Sequence, residues 1–173
     1  MMRLGLSQDQ QQATRSATDI MPQVASPTTK EIPYDYVAKF TLKGQRGNRV
    51  QDVINISIEG GFVAVAIGYS FISPRPTDGP SIVSDREIDF TYSIVDSGSG
   101  RELQNRPIHN IAGLGEASGR RPFRPLAKPM LFMPRSTIRI EVEEISEGAI
   151  HKNAELFIVL HGYKILGYGT GLP

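Results

Sequence analysis

The side chains best suited to bind a transition metal, or to act as a base near neutral pH, are three histidines. They are His109, His151 and His161. They lie far apart in the sequence, and none has a second ligand type beside it at the spacing of a zinc site. A metal site would therefore have to be assembled entirely by tertiary contacts, and we expect none. His161 ends an apolar run before a glycine, so we expect it to be a hydrogen-bonded core or edge residue.

An acidic cluster is the second candidate for chemistry, and it consists of Glu141, Glu143, Glu144 and Glu147. Carboxylates can bind calcium, but no Asp-x-Asp-x-Asp-Gly loop surrounds these. Glycoside hydrolysis needs two carboxyl groups in different environments, and nothing in the sequence distinguishes one of these glutamates from the others. We expect the cluster to form a solvated face, where Glu141 and Glu143 pair with Arg139 or with a basic partner.

Residues 113–119 are rich in glycine but do not form a phosphate-binding motif. They lack the dinucleotide-binding spacing and the lysine of a phosphate loop, and no βαβ pattern surrounds them. The chain has no cysteine, which excludes disulfides, thiolate zinc sites and thiol nucleophiles. The sequence therefore predicts a protein without catalytic residues, cofactor or metal.

A proline-punctuated segment concentrates five cations, Arg120, Arg121, Arg124, Lys128 and Arg135. One interpretation is an ordinary solvated surface loop. The other is an electrostatic contact with an acidic patch of a neighbouring subunit, a role that suits the planar fork of arginine. Nucleic acid is an unlikely partner because no aromatic platform is interleaved with these cations and the formal net charge is only +1.

Alternation of apolar and polar residues predicts the strands that must position these side chains. Residues 34–42, 88–94 and 136–143 alternate in this way, and a further pair of strands is predicted at residues 50–59 and 62–70. Residues 154–160 are largely apolar on both alternating sets, which predicts a central, buried strand. Residues 62–67 also predict a central strand, with Val63, Val65 and Ile67 on one face. Gly60 and Gly61 predict a tight hairpin between the strands at residues 50–59 and 62–70.

The remaining segments predict loops. Residues 73–80 contain three prolines, which predicts an exposed loop. A short strand returns through residues 101–105, and residues 106–129 predict a long loop with only fragments of strand. No segment shows a helical apolar stripe of ten or more residues. We therefore expect an all-β protein, an antiparallel β-sandwich of the jelly-roll type rather than a closed barrel.

Residues 1–31 predict an extended N-terminal arm, and residues 32–173 the sandwich domain. The arm is rich in Gln, Ser, Thr and Ala, so alone it buries too little apolar surface to fold. It is either a disordered tail or an arm that becomes ordered across a neighbouring subunit. Its sparse apolar anchors would be Leu4, Leu6, Ile20, Met21 and Val24. Neither a secretion signal nor a long apolar run occurs, so we expect a soluble protein without a membrane anchor.

Four segments together resemble small β-sandwich virion proteins of tailed double-stranded DNA bacteriophages. They are IPYDY at 32–36, FVAVAIGYS at 62–70, PMLFMPRSTIRIEV at 129–142 and LFIVLHGYK at 156–164. The resemblance implies a structural protein of the virion, assembled in the host cytoplasm, with no catalytic residues. It would be a head cement or decoration protein, or a component of the head–tail connector, collar or tail. Its partners would be copies of itself and the major capsid, portal, connector or tail proteins.

Three hypotheses about function follow from the sequence. The first is a non-enzymatic assembly protein that uses the arm, the loop of residues 106–129 (in particular Arg120, Arg121, Arg124 and Lys128) and exposed sheet edges. The second is a carbohydrate-binding sandwich that recognises a host surface glycan. The third is an enzyme on a jelly-roll scaffold, which the scattered histidines disfavour.

Overall fold

The computed structural model describes residues 29–75, 79–82, 88–116, 121–148 and 151–167. The predicted arm anchors, the cation Arg120 and the ends of several loops lie outside these residues. The strands are β1 Thr29–Thr41, β2 Arg49–Asn55, β3 Gly60–Arg75, β4 Gly79–Ile82, β5 Phe90–Asp96, β6 Arg101–Glu102, β7 Ile108–His109, β8 Gly115–Glu116, β9 Arg124–Phe132, β10 Thr137–Glu144 and β11 Glu155–Gly167. Helix α1, Asn110–Gly113, has only four residues, and no described helix could cross a membrane.

Two sheets contain these strands. Sheet A has the order β1-β11-β3, and β9, β8 and β4 pair with the free edge of β3. Sheet B has the order β2-β10-β5, and β6 and β7 pair with β5. All pairs are antiparallel except β3 with β8. The orders β1-β11-β3-β9 and β2-β10-β5-β6 are those of a jelly roll, so the predicted fold class is confirmed.

The core lies between the two sheets and follows the alternation of the sequence. In β10, Ile138, Ile140 and Val142 are at most 1% exposed, whereas the residues between them reach the other face of the sheet. The buried set of β11 is Leu156, Ile158 and Leu160. Because β11 lies between β1 and β3, the prediction of a central strand at 154–160 is confirmed. The strands predicted at 34–42, 88–94 and 136–143 are confirmed as β1, β5 and β10.

Gly60 and Gly61 do not form a hairpin turn, and that prediction was wrong. The strands before and after them, β2 and β3, belong to different sheets, so the connection crosses the sandwich. Both glycines lie inside β3, where a Cβ at Gly60 would collide with the carbonyl oxygen of Ile165, and one at Gly61 would lie 3.1 Å from Leu131. The two glycines are therefore needed for close packing of neighbouring strands and not for a turn.

A β-bulge at Val65 changes which face of β3 points into the core. Opposite β11, Ala64 pairs with Gly162 and Ala66 with His161, which leaves Val65 without a partner. One extra residue in a strand moves every later side chain to the other face. The core therefore receives Phe62 and Ala64 before the bulge but Ile67, Tyr69 and Phe71 after it. The prediction that Val63, Val65 and Ile67 share a face was wrong for this reason.

Two of the predicted loops contain strands. Residues 73–80 include the end of β3 and the start of β4, where Pro74 pairs with Pro80. Prolines are tolerated there because β11 no longer pairs with β3 beyond Ile72. The long loop predicted at 106–129 contains the expected fragments β7 and β8, but its last part is the nine-residue strand β9. The short strand predicted at residues 101–105 is present as the two-residue strand β6.

Candidate functional site

Strand β9 is an edge of sheet A that is only partly attached to the sheet. Its C-terminal end pairs with β3 through Met130, Leu131 and Phe132, and its N-terminal end through Arg124 and Pro125. The four residues between these two ends, 126–129, pair with no residue of β3. Only the bulged residue Val65 lies opposite them. The outer side of β9 pairs with no described strand. We call residues 121–135 the β9 edge.

The β9 edge carries the described cations of the predicted contact set. Arg121, Arg124 and Lys128 are exposed, as is Arg135. Within the described part of the chain none of the four forms an ion pair. Other basic side chains on the sheets do form one, such as Lys39 with Glu155 at 2.6 Å. The structure therefore brings these predicted residues together on one edge, with their charge available to a partner.

An aromatic anchor fixes the chain between Arg121 and Arg124. The ring of Phe123 stacks on the imidazole of His161 at 4.9 Å, and the Nδ1 atom of His161 lies 2.7 Å from the Asp35 carboxylate. Phe123 also packs over Gly68 of β3, where a Cβ would lie 3.0 Å from its ring. Because β11 and β3 are central strands, this contact ties the start of the β9 edge to the rigid part of sheet A.

Exposed apolar side chains accompany the cations. Leu131 and Met133 are each 56% exposed, and Ile58, in the turn between β2 and β3, is 62% exposed. That turn adjoins the β9 edge, because the backbone N–H of Arg135 donates to the carbonyl oxygen of Ile56 at 3.2 Å. Large apolar side chains beside unpaired arginines are typical of protein interfaces, in which methionine and arginine are enriched.

Prolines limit how a partner can bind this edge. Pro125, Pro129 and Pro134 lie in or beside β9, and each removes a backbone donor. An edge interrupted in this way is a poor template for adding a further strand. The contact that the β9 edge can make is therefore one of side chains, in which cations set the orientation and apolar groups add buried area.

The three histidines remain apart in the fold. His109 lies 3.8 Å from Asp89. His151 is buried beside Phe71, and its Nδ1 atom has no hydrogen-bond partner in the described structure. His161 is hydrogen-bonded as predicted, but its side chain is half-exposed and its strand continues to Gly167. It is neither a core nor an edge residue, which corrects that part of the prediction. No group of three or more histidine or acidic side chains among the described residues is placed to hold a metal ion.

The acidic cluster divides into two environments. Glu143 pairs with Arg49 at 2.9 Å, and Glu141 pairs with Arg139 at 3.1 Å, on the outer face of sheet B as predicted. Glu144 does not lie on this solvated face, since it is 3% exposed. Its carboxylate accepts hydrogen bonds from the loop between β1 and β2, and the donors are the backbone N–H groups of Lys43, Gly44 and Gln45 and the amide of Asn48.

A polar groove of about 340 Å³ crosses the same outer face of sheet B. Its polar side chains come from β2, β5 and β10 and include Gln51, Thr91, Ser93 and Glu141. Tyr92 of β5 is also among the lining residues, but its side chain is buried in the core. The groove therefore offers hydrogen bonds but no aromatic platform.

The exposed apolar part of the β9 edge was not predicted. Residues 130–133 are all apolar, so alternation could not show which side chain points outward. The prolines that flank this run, Pro129 and Pro134, were a usable signal, because prolines within strands are confined to sheet edges.

No protein-family model matches this sequence, and no curated protein matches it either. Solved structures with a similar fold include a protein from Sulfurospirillum deleyianum, at 12% identity and a TM-score of 0.35 over 79% of this chain and 99% of that one. The infectious bursal disease virus VP2 subviral particle shares 14% identity over 90% of this chain and 42% of that one, with a TM-score of 0.30. Desmodium yellow mottle tymovirus shares 11% over 91% and 98%, also with a TM-score of 0.30. Viral β-sandwich proteins are thus among the similar structures, and at these identities the similarity concerns the fold alone.

Proposed function

We propose that this protein is a non-enzymatic structural component of a virus particle that joins or stabilises neighbouring subunits through its β9 edge. One observation carries the proposal. On a single sheet edge, cations without an ion pair in the described structure lie beside the exposed side chains of Leu131 and Met133. The anchor between Phe123 and His161 holds this edge on a rigid sandwich, so the contact surface is formed before a partner binds.

The particle that we propose is a tailed double-stranded DNA bacteriophage, for which the sequence resemblance is the support. There the protein would serve as a head cement or decoration protein, or as a part of the connector, collar or tail. Its partners would be further copies and the major capsid, portal, connector or tail proteins, and assembly would take place in the host cytoplasm. The N-terminal arm, with Leu4, Leu6, Ile20, Met21 and Val24, would add a second contact. That contact remains a prediction.

Charge reversal of the β9 edge tests the proposal. The variant Arg121→Glu, Arg124→Glu and Lys128→Glu presents like charges to an acidic partner, so we expect it to be lost from purified particles. The matched control reverses three exposed cations outside this edge, Lys43, Arg46 and Lys152, and therefore has the same net charge.

Electron microscopy of particles assembled with each variant, together with the copy number of the variant per particle, is the measurement. We expect the control to be incorporated like the wild type. Equal incorporation of both variants would exclude the β9 edge as the contact surface. An electron micrograph of the native assembly would also show whether the protein lies on the head, at the connector or in the tail.

The polar groove on sheet B favours one other function, a carbohydrate-binding module that recognises a host surface glycan. Its hydroxyl, amide and carboxylate groups can bind sugar hydroxyls. A glycan array probed with the assembled protein tests this alternative. Binding that is lost in Gln51→Ala would support it, and an array without a reproducible signal would reject it.

A further inference from the structure

A second cavity, of about 250 Å³, lies between the two sheets on the side of β9. Its inner wall is formed by core residues of both sheets, among them Ala64, Ile67, Ile94 and Leu160. Its exposed lining residues are Ala112, Arg124, Pro125 and Ala127, which places its mouth between α1 and β9. The cavity is larger than the about 150 Å³ of an engineered apolar cavity that binds benzene.

The path of β9 explains why this space is not filled. Residues 126–129 have no partner in β3, so β9 bows away from the sheet at this point. Some of the residues that line this space are small, such as Ala64, Ala112 and Gly113. Protein interiors are normally packed without voids, so a space of this size between two sheets is unusual. A cavity that is preformed, apolar and open at one end is the usual form of a ligand site.

The side chain of Tyr92 lines the cavity. Tyr92 as a whole is 3% exposed, and its hydroxyl is available to a molecule in the cavity. It lies against α1, where a Cβ at Gly113 would collide with it. A tyrosine hydroxyl beside a cavity can donate to an acceptor that enters it. Burial raises the pKa of Tyr92 to about 12, although the charge of Arg124 opposes the shift, so the hydroxyl stays protonated at neutral pH.

The walls beside this hydroxyl are fixed, so the donor is preorganised. The side chain of Asn110, which is fully buried, holds α1 against β5. Its amide donates to the carbonyl oxygen of Ile88 at 3.0 Å and to the Tyr69 hydroxyl at 3.2 Å, and its oxygen accepts from the backbone N–H of Phe90 at 3.3 Å. Because the Tyr92 hydroxyl lies against Gly113 of α1, this network also fixes the wall beside the hydroxyl.

Arg124 determines the charge of the ligand that would fit. Its side chain lines the cavity at the mouth, and in the described structure it has no carboxylate partner. We infer that the cavity binds an aliphatic carboxylate of medium chain length, with the chain between the sheets and the carboxylate on Arg124 and the Tyr92 hydroxyl. The guanidinium and the hydroxyl would donate hydrogen bonds to the carboxylate of the ligand, and the apolar cavity would enclose its aliphatic chain.

This inference does not depend on the proposed role in a particle, because the isolated chain should bind the ligand. The probes are decanoate, used below its micelle concentration, and decanol, which has the same chain without the charge. Binding to the full chain is measured by calorimetry, and folding of each variant is checked by thermal unfolding. We expect decanoate to bind more tightly than decanol and acetate not to bind.

Two variants on matched positions identify the head-group contact. Arg124→Met keeps an apolar stem but removes the charge, and Lys128→Met makes the same change on the same strand outside the cavity. We expect Arg124→Met to weaken decanoate binding about tenfold or more, the loss typical of a charge-assisted hydrogen bond, with little effect on decanol. Lys128→Met should bind both probes like the wild type.

Tyr92→Phe, which keeps the ring, should weaken both probes because both can accept the hydroxyl hydrogen bond. The inference is overturned if the wild type binds no decanoate, if decanol binds as tightly as decanoate, or if Arg124→Met and Lys128→Met behave alike. Failure of this test would leave the particle proposal intact, since that proposal is measured by incorporation.

Discussion

The two sides of the sandwich, along β1 and β2 and along β9, are built in opposite ways. On the first side the sheets are joined directly. The backbone N–H of Lys39 in β1 donates to the Asp52 carboxylate of β2 at 2.9 Å, and the N–H of Ser57 donates to the Tyr36 hydroxyl at 2.9 Å. On the β9 side a cavity separates the sheets, and cations face the solvent. The comparison indicates that the sheets are in direct contact on the first side, whereas the second side offers a cavity and an exposed edge for binding.

The largest effect should come from Glu144, which closes the first side. Glu144→Ala leaves three backbone N–H groups and one amide without their acceptor. We expect the free energy of unfolding to fall by about 3–5 kcal/mol, measured by urea denaturation. The neighbouring change Glu143→Ala removes an exposed ion pair and should cost less than about 1 kcal/mol. Equal losses would show that the buried carboxylate does not hold this side together.

The bulge between the two sides is the next test. A side chain at Gly162, opposite the bulge, would collide with the carbonyl oxygen of Val63, whereas nothing lies within 4 Å of the same position at Gly167. Gly162→Ala should therefore destabilise the protein by about 1–3 kcal/mol, and Gly167→Ala, in the same strand, should change its stability little. Thermal unfolding of both variants is the measurement. If Gly162→Ala were as stable as the control, the close approach of β3 and β11 would not be needed.

Replacing one buried alanine on each side by valine compares the packing of the two sides directly. Ala64 and Ala38 are both fully buried, but only Ala64 lines the cavity. Ala64→Val adds two methyl groups that can extend into the cavity, so we expect it to raise stability by about 0.5–1 kcal/mol. Ala38→Val adds the same atoms to a filled core and should lower stability by about 1–3 kcal/mol. Losses of the same size at both positions would mean that the two sides are equally packed.

The smallest effect should be the pH dependence that Tyr92 contributes on the cavity side. Its pKa is raised from 10.0 to about 12 by burial, so the folded state holds this proton more firmly than the unfolded state does. Its contribution to stability is complete below pH 10.0 and is lost as the pH rises through about 12. In Tyr92→Phe, unfolding measured across this range should depend less steeply on pH. An unchanged slope would contradict the burial of the hydroxyl.

The strands were predictable because alternation is a local property. Ile138, Ile140 and Val142 show which face of β10 is buried without knowledge of any other strand. The error at Gly60 and Gly61 has a physical reason, because glycine is used both in turns and where two backbones pack closely. Likewise, β9 was predicted as a loop because its prolines break a central strand but are tolerated on an edge.

The candidate site was predictable only in part. Its cations were visible as a cluster in the sequence, although Arg120 and the arm residues lie outside the described structure. The exposure of Leu131 and Met133 and the cavity beside Tyr92 were not predicted. These features depend on which strands become neighbours, and no single segment records that.

The sequence by itself determined which residues alternate, and hence the strands, the sheet faces and the two-layer fold class. Only the tertiary structure decided the rest: that the bulge at Val65 changes the core face of β3, that β9 is a sheet edge, and that the sheets stay apart beside it. The reason is physical. Burial of one face follows from the spacing of apolar residues along a strand, whereas edges and cavities arise from contacts between segments far apart in the chain.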